Sequence, residues 1–417
     1  MRIAIVGAGV SGLVAAHRLA GRHDVVVYEA ADYAGGHTNT VRVDTEHATH
    51  YVDTGFIVFN DRNYPNFERL LDQLGVASQP SNMSFSVSDG RGDFEYSSTS
   101  PSGLFAKRSH LVSPAFLRMV RDLVRFNREV RPLIALNGQG PSLGEFLDRG
   151  DYSRQFVERL IVPQASAVWS ADPAQMWSFP AGFLAEFFDK HGMLGFTGRP
   201  RWRTIAGGSR RYVRALTDPL GDRLRLRAPV SRIERDDDGV RVTVAGQGSE
   251  PERFDHVVVA AHSDQALGML ADPSDAEREL LGAIPYQLNR AVLHTDASLL
   301  PRRRRAWASW NYHLQDEPAA QTTVTYHMNR LQSLDADREF CVTLNRTGAI
   351  DPERTIATID YAHPVYTHAG LAAQQRWEQI SGVGRTHYCG AYWGWGFHED
   401  GVVSALRACE RLEAGGR

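Results

Sequence analysis

Cysteine is scarce in this chain of 417 residues. The three present, Cys341, Cys389 and Cys409, lie far apart with no CxxC or zinc-ligand spacing, which argues against a disulfide framework and against a metal site. A reducing, cytoplasmic setting fits that usage. No apolar run approaches the roughly 18 residues needed to cross a bilayer. Arg2–Val6 passes straight into a glycine turn rather than into a leader-like stretch. Strong charge is missing as well: the formal net charge is -3, so no overall field points to nucleic acid. There is no internal repeat, low-complexity tract or flexible linker, so the domains expected at this length should be interleaved.

What the chain does have is glycine at chosen places. Arg2–Val6 reads as a buried strand, Leu13–Leu19 as a helix and Val25–Tyr28 as a second strand. Between the first strand and the helix, Gly7-Ala8-Gly9-Val10-Ser11-Gly12 fits G-x-G-x-x-G. In that setting Gly7 permits a tight turn, Gly9 lets a pyrophosphate approach the backbone, and Gly12 lets the helix pack closely. Glu29 closes the second strand 17 residues after Gly12, where its carboxylate can accept from a ribose and repel a 2'-phosphate. These features give an adenine dinucleotide site. The pair Gly35-Gly36, followed by His37, favours FAD over NAD, because it lets backbone approach a longer cofactor.

Downstream, Val230–Arg235 and Val240–Val244 read as a hairpin, and Val257–Ala261 as a strand buried on both faces. Residues 104–190 read as a mostly helical cap, with breaks at 137–142 and at Pro163, Pro173 and Pro180. A helix is expected from near Ser274, and β-structure over Thr322–Tyr326 and Phe340–Leu344. At the far end, Gly390-Ala391-Tyr392-Trp393-Gly394-Trp395-Gly396-Phe397-His398 leads through Gly401-Val402-Val403 into a helical run, Ser404–Leu412. A helix start bounded by glycines offers N–H groups and a positive dipole end to flavin oxygens. The alternative is an aromatic loop that merely packs on the core.

Together these segments resemble the flavin-containing amine oxidase and phytoene desaturase superfamily. The likeness is carried by Ile5–Ala16, Glu29, Gly35-Gly36, Trp202–Leu216 with Gly207-Gly208, Val257–Ala261 and Gly390–Ala408. It implies an α/β fold: a glutathione-reductase-type, Rossmann-like FAD domain from residues 1–60, 200–265 and 375–417. A mixed α+β substrate domain would take 61–199 and 266–374, the cap included. Non-covalent FAD is implied, held at Gly7–Gly12, Glu29-Ala30 and Gly35–Thr38. Further contacts are implied at Thr54-Gly55-Phe56, Val230, Ala260, Gly390-Ala391 and Gly401–Val403. Within the superfamily the chain is most similar to a bacterial group of predicted NAD/FAD-binding proteins. That likeness lies in Gly35–Thr38, Asp53–Phe56, Tyr64–Phe67, Met83–Ser86 and Gly394–Gly401. Members of the group are often encoded beside enzymes resembling cyclopropane-fatty-acid synthases, which implies an acyl-lipid substrate by association.

Two departures stand out. The superfamily commonly has arginine after the glycine pair, where this chain has His37, a partner whose charge depends on pH. Monoamine and polyamine oxidases carry a lysine that meets flavin through water. The only lysines here are Lys107 and Lys190, and neither lies in the expected stretch near Arg290–Asp296. The first departure weakens the cofactor's charge partner; the missing lysine weighs against amine oxidation, and the aromatic loop mildly favours it.

Flavin chemistry asks little of side chains beyond placing a C–H bond and excluding water. Tyr392, Trp393 and Trp395 are candidate pocket walls, or else core packing. His398 and Glu399 are the nearest groups able to move protons, although a histidine in such a loop often serves as a hydrogen-bonding prop. Asp53 reads as a loop holder. In the cap, Arg118, Arg121, Arg125 and Arg128 share one helix face opposite Phe116, Val120, Leu123 and Val130. With Arg302–Arg305 they could touch an anionic membrane, or form an ordinary solvated face. The leading expectation is oxidation, desaturation or isomerisation of an acyl lipid. The alternatives are an amine oxidase and a non-catalytic flavoprotein partner in a lipid-modifying complex. The electron acceptor stays unnamed.

Overall fold

The computed structural model describes residues 1–98, 100–136, 140–195, 197–246, 250–315 and 321–415. Arg2–Val6 lies at the centre of a five-stranded, all-parallel sheet. Across it the order is Leu224–Arg225, Asp24–Tyr28, Arg2–Val6, His256–Val259 and Thr386–Tyr388. Ile3, Ile5, Val25, Val27 and Val257–Val259 are fully buried, as both-face coverage of a parallel sheet requires. Parallel strands have a chemical consequence. The segments after Val6, Tyr28, Val259 and Tyr388 all leave from one edge, so parts of the chain nearly 400 residues apart meet there.

The Val10–Leu19 helix starts at that edge, and so does the terminal helix, His398–Gly415. The two run parallel: Gly401 lies against Val10 and Ser11, Cys409 against the Ala15 carbonyl, and Glu413 pairs with Arg18 and Arg22. The terminal helix begins six residues before the expected Ser404. Gly401 does not break it, because the absent side chain is what lets the helices approach. The hairpin formed by Val230–Asp236 and Gly239–Val244 is extended by Glu252–Phe254 into a small antiparallel sheet.

A second, seven-stranded sheet runs from Thr355–Pro364 through Tyr286–His294, Cys341–Leu344, Val324–His327, Trp310–His313 and Phe85–Ser88 to Glu95–Ser97. Its two expected strands are shorter than the β-rich sequence runs. The helix expected near Ser274 is Asp275–Gly282, opened by a capping box in which the Ser274 hydroxyl accepts from the Glu277 N–H and the Glu277 carboxylate accepts from the Ser274 N–H. The cap is helical: Pro114–Glu129, Leu143–Arg149, Val162–Trp169 and Ala181–Lys190, joined by tighter turns. Two of its prolines begin helical turns: Pro173 opens a 3-10 turn and Pro180 precedes Ala181, places where the first N–H has no intrahelical partner. Pro163 instead lies inside a continuous helical stretch, just after the π turn Val157–Ile161, and a π turn is where a helix accommodates a proline without ending. The expected break at 137–142 falls partly outside the described residues.

The four cap arginines do not act as one face. Arg125 lies over the Tyr152 ring and donates to the Gly150 carbonyl, and Arg118 reaches Asp122 and Asp151. Arg121 and Arg128 remain on the solvent side. No described helix is long and apolar enough to cross a membrane. Two hydrophobic cores result, one under each sheet, and Phe397 of the terminal segment packs against both.

Candidate cofactor and active site

At the shared edge the glycine turn is fixed by backbone contacts. A Cβ on Gly7 would lie 2.7 Å from the Ala260 carbonyl oxygen, and one on Gly12 would lie 1.9 Å from the Gly7 oxygen. Gly9 has open space where its Cβ would be, and Gly36 comes to face it with φ +58°. The Gly35 N–H donates to the Ala8 carbonyl at 2.8 Å. No side chain caps the Val10–Leu19 helix at Gly9, so its first-turn N–H groups, including that of the buried Ser11, are left for an anion. The Glu29 carboxylate accepts from the Ala8 and Ala31 N–H groups at 2.7 and 2.9 Å. That ties the turn to the second strand and leaves lone pairs for ribose hydroxyls. Ala30 is exposed beside it. Ala228 donates to the Glu29 carbonyl, so Val230 follows closely at the start of its hairpin. An open cradle, an uncapped helix start and a carboxylate at the ribose position fit the adenosine-pyrophosphate half of FAD.

The next segment docks on the first. The Phe56 N–H donates to the His37 carbonyl, and both the N–H and the hydroxyl of Thr54 donate to the Asn39 carbonyl. A Cβ on Gly55 would lie 2.1 Å from the His37 oxygen. Asp53 is fully buried and accepts from the Thr40 hydroxyl, the Ser209 N–H and hydroxyl, and the Gln332 amide. Burial pushes its carboxyl up to about 7 while these donors pull it back. Ser209 and Gln332 were not foreseen from sequence. Their partner is 156 or 279 residues away.

His37 belongs to a cluster that sequence reading missed. Its ring stacks on Tyr361 at 4.9 Å and meets His363 at 5.2 Å and His262 at 6.0 Å. Burial first, then the neighbouring imidazoles, holds it well below the usual histidine range, and His363 is lowered to about 4. That direction favours the neutral imidazole at this position. His262 lies three residues beyond the His256–Val259 strand and His363 is the penultimate residue of Thr355–Pro364, so no local pattern marks them as a group.

The terminal segment divides its residues between core and cap. The Gly390 N–H donates to the Ser404 hydroxyl, and Ala391 lies near Gly401. Tyr392 is buried against Trp393, and its hydroxyl has no partner. Val402 is buried and Val403 half-buried on the terminal helix. Trp395 instead faces the cap, 6.0 Å from Phe187 and 6.3 Å from Phe183, with the Lys190 ammonium 4.4 Å over its ring. Asp400, another residue missed from sequence, accepts from the Phe397 N–H, and burial pushes its carboxyl up to about 7.

His398 and Glu399, the sequence's candidates for moving protons, each make hydrogen bonds that hold the frame. His398 Nε2 lies 2.9 Å from the Thr38 hydroxyl and 2.9 Å from the Tyr212 hydroxyl. Its ring stacks on Phe56 at 3.4 Å, and desolvation lowers its pKa to about 3. Glu399 accepts from the N–H and side-chain amide of Asn66 and from the Phe67 N–H, capping the Pro65–Gln73 helix.

A family model described as flavin containing amine oxidoreductase matches residues 10–304, well over half of the chain. The chain belongs to this family. Its cofactor is FAD, and it is an FAD-dependent oxidoreductase of the amine oxidase superfamily. A flavin-dependent L-tryptophan oxidase, RebO, from Lentzea aerocolonigenes is 25% identical over 281 residues, which are 62% of this chain and 57% of that protein. The chain thus matches little more than half the length of that curated relative. Putrescine oxidase bound to putrescine superposes with a TM-score of 0.71 at 16% identity, covering 99% of both chains. A fatty acid isomerase from P. acnes that produces CLA superposes at 0.68 and 17% identity, covering 99% of this chain and 98% of that one. At such identities the likeness is one of fold.

In this flavin-dependent oxidoreductase the cap and the second sheet enclose a cavity of about 230 Å³. Trp169, Met176, Phe179, Pro364 and Tyr366 line it, and no charged side chain does. Tyr366 stacks on Phe183 at 5.1 Å, and the Trp169 indole N–H donates to the Trp395 carbonyl. The cavity wall is thereby joined to the terminal segment. The Tyr366 hydroxyl is buried without a partner.

Proposed function

We propose that this flavoprotein oxidises, desaturates or isomerises an apolar substrate, an acyl lipid, at a carbon presented to the flavin. The observation that carries this reading is the uncharged lining of the cavity between the cap and the second sheet, where Trp169, Phe179 and Tyr366 supply aromatic surface and Gln175, Ser178 and Thr367 the few neutral polar groups. Bound FAD supplies the hydride acceptor. The chain's own residues do the rest: Trp169, Phe179 and Tyr366 bind apolar surface and exclude water, while Trp395 and Phe397 join that wall to the cofactor edge. His191, beside Trp395, is lowered to about 4 by burial and stays neutral. Buried charge without a partner is costly, so such a lining favours a substrate segment that carries none.

A second reading, amine oxidation, draws on the same aromatic rings, which can receive an ammonium on their faces. Against it, the Trp395 face is already occupied by the Lys190 ammonium, itself paired with Glu186 at 2.7 Å. Anaerobic mixing of the FAD-loaded protein with unsaturated phospholipids and fatty acids on one side and amines on the other tests the choice. Bleaching of the flavin band by the acyl lipids alone is expected. Isomerisation returns the hydride to the lipid and leaves the flavin oxidised, so the recovered lipid is also analysed for a moved double bond. Bleaching by amines alone would overturn the proposal, and neither bleaching nor a changed lipid would leave a non-catalytic partner in a lipid-modifying complex.

A further inference from the structure

The Pro114–Glu129 helix carries a second surface that neither the cofactor site nor the cavity uses. Its solvent-facing stripe is Leu117, Arg121, Val124 and Arg128, so apolar and basic side chains alternate along one line. Leu117 is 45% exposed and Val124 is 51% exposed, and the turn just before the helix adds Leu111 at 54% and Val112 at 80%. Four of the twelve large apolar side chains exposed among the described residues thus fall within fourteen consecutive positions. Scattered exposure of that kind is ordinary, but its concentration marks a contact surface.

Charge gives the occupant. Residues 107–131 hold seven basic and two acidic side chains, a net +5 in a chain whose total is -3. The two acids are already engaged: Asp122 is buried and accepts from the Ser153 N–H, and Glu129 accepts from the Tyr152 hydroxyl and pairs with Arg125 and Arg128. Arg108 and Arg121 have no ion pair among the described residues and point to solvent. Asp93, Asp151 and Asp189 of neighbouring segments pair with Lys107, Arg118 and Arg131, so the local balance of the face is +2 and is carried by the side chains nearest the apolar stripe. A second copy of this chain would set positive against positive, and a neutral apolar partner would leave Arg108 and Arg121 unused.

We propose that this face docks on an anionic lipid surface, with Leu111, Val112, Leu117 and Val124 among the acyl chains and Arg108, Arg121 and Arg128 at the level of the phosphates. An interfacial helix combines those two kinds of side chain in this way. The inference stands apart from the substrate reading, because binding is measured without turnover. The test is sedimentation of the FAD-loaded full chain with phosphatidylcholine vesicles, with and without phosphatidylglycerol. Binding only when phosphatidylglycerol is present, weakening as salt rises, is the expected result. Each arginine near such a surface is worth about fivefold in affinity, so Arg108→Glu with Arg121→Glu should weaken binding by well over about tenfold. Val112→Asp should weaken it comparably, with the flavin spectrum and Tm unchanged in each variant. No binding to phosphatidylglycerol vesicles, or binding that these substitutions leave intact, would overturn the proposal. So would a dimer in solution that Val112→Asp dissolves, since the face would then belong to a second copy.

Discussion

Glycine is required in both halves of the cofactor edge, but against different neighbours. Around Gly7–Gly12 an added methyl group meets backbone: the Ala260 carbonyl at 2.7 Å for Gly7 and the Gly7 carbonyl at 1.9 Å for Gly12. Around Gly390–Gly401 it meets side chains instead. The Tyr392 ring is 2.2 Å from a Cβ on Gly390, the Asp400 carboxylate 2.3 Å from one on Gly394, and the Tyr366 hydroxyl 2.4 Å from one on Gly396. The first turn is a fixed mould for a pyrophosphate. The second is a packing arrangement in which the neighbours were chosen together, so its requirement can be lifted by a partner substitution.

The sharpest way to break that comparison is a paired substitution. Gly12→Ala is expected to abolish FAD retention on every background, because no side chain can be trimmed to make room. Gly390→Ala should cost about 1–3 kcal/mol of stability by overpacking. On a Tyr392→Ala background, itself costing about 3–5 kcal/mol, it should add almost nothing. Flavin absorbance after purification and denaturant midpoints for the four variants read both effects. Additive costs for Gly390→Ala and Tyr392→Ala would remove the distinction.

This contrast also explains what the sequence disclosed. The strand, glycine turn, helix and Glu29 are consecutive and mutually determining, so their spacing was enough, and the same holds for the Ser274–Glu277 capping box. The aromatic cavity and the His37, His262 and His363 cluster were not legible, since each is assembled from segments brought together only by the parallel sheet edge and the cap. His398 was legible as a residue of the site, with the hydrogen-bonding prop among its expected roles, but its partners were not. Nothing local foretells that its ring lies on Phe56 between Thr38 and Tyr212.

Acid should act on the histidine-lined side of the edge, for the glycine turn itself contains no titratable group. His398 is lowered to about 3, and His363 and His191 to about 4, all chiefly by burial. Between those values and the ordinary range near 6.5 the unfolded chain binds more protons than the folded one, so stability rises with pH there. It is fully present above that range and is lost as pH falls through it, at up to about 1.4 kcal/mol per pH unit for each such histidine. Asp53 and Asp400, raised to about 7 by burial, act in the opposite sense, adding stability that is lost as pH rises through that value, and so offset part of the histidine effect. With more histidines than carboxyls shifted, Tm is expected to fall towards pH 4, less steeply than the histidines alone would give, and to become flat only above about pH 8. His398→Gln should lower Tm at pH 8, through lost stacking, yet show a shallower acid decline. An unchanged decline would mean that His398 is already charged in the folded protein.

The smallest effect separates side-chain collision from backbone strain at a single glycine. Tyr366 carries a buried hydroxyl without a partner beside Gly396, whose φ is +89°. Removing an unsatisfied hydroxyl by Tyr366→Phe should stabilise the protein by about 1 kcal/mol. It also clears the space that Gly396→Ala needs, since the next atom of the ring is 3.5 Å away. The double variant should then retain only the strain of a left-handed alanine, about 1–2 kcal/mol, and come out close to wild type in Tm. Should Tyr366→Phe instead lower Tm, or slow flavin reduction by acyl lipid while Tm rises, the hydroxyl has a partner supplied by cofactor or substrate. Gly396 would then be kept small by the site and not by the packing around it.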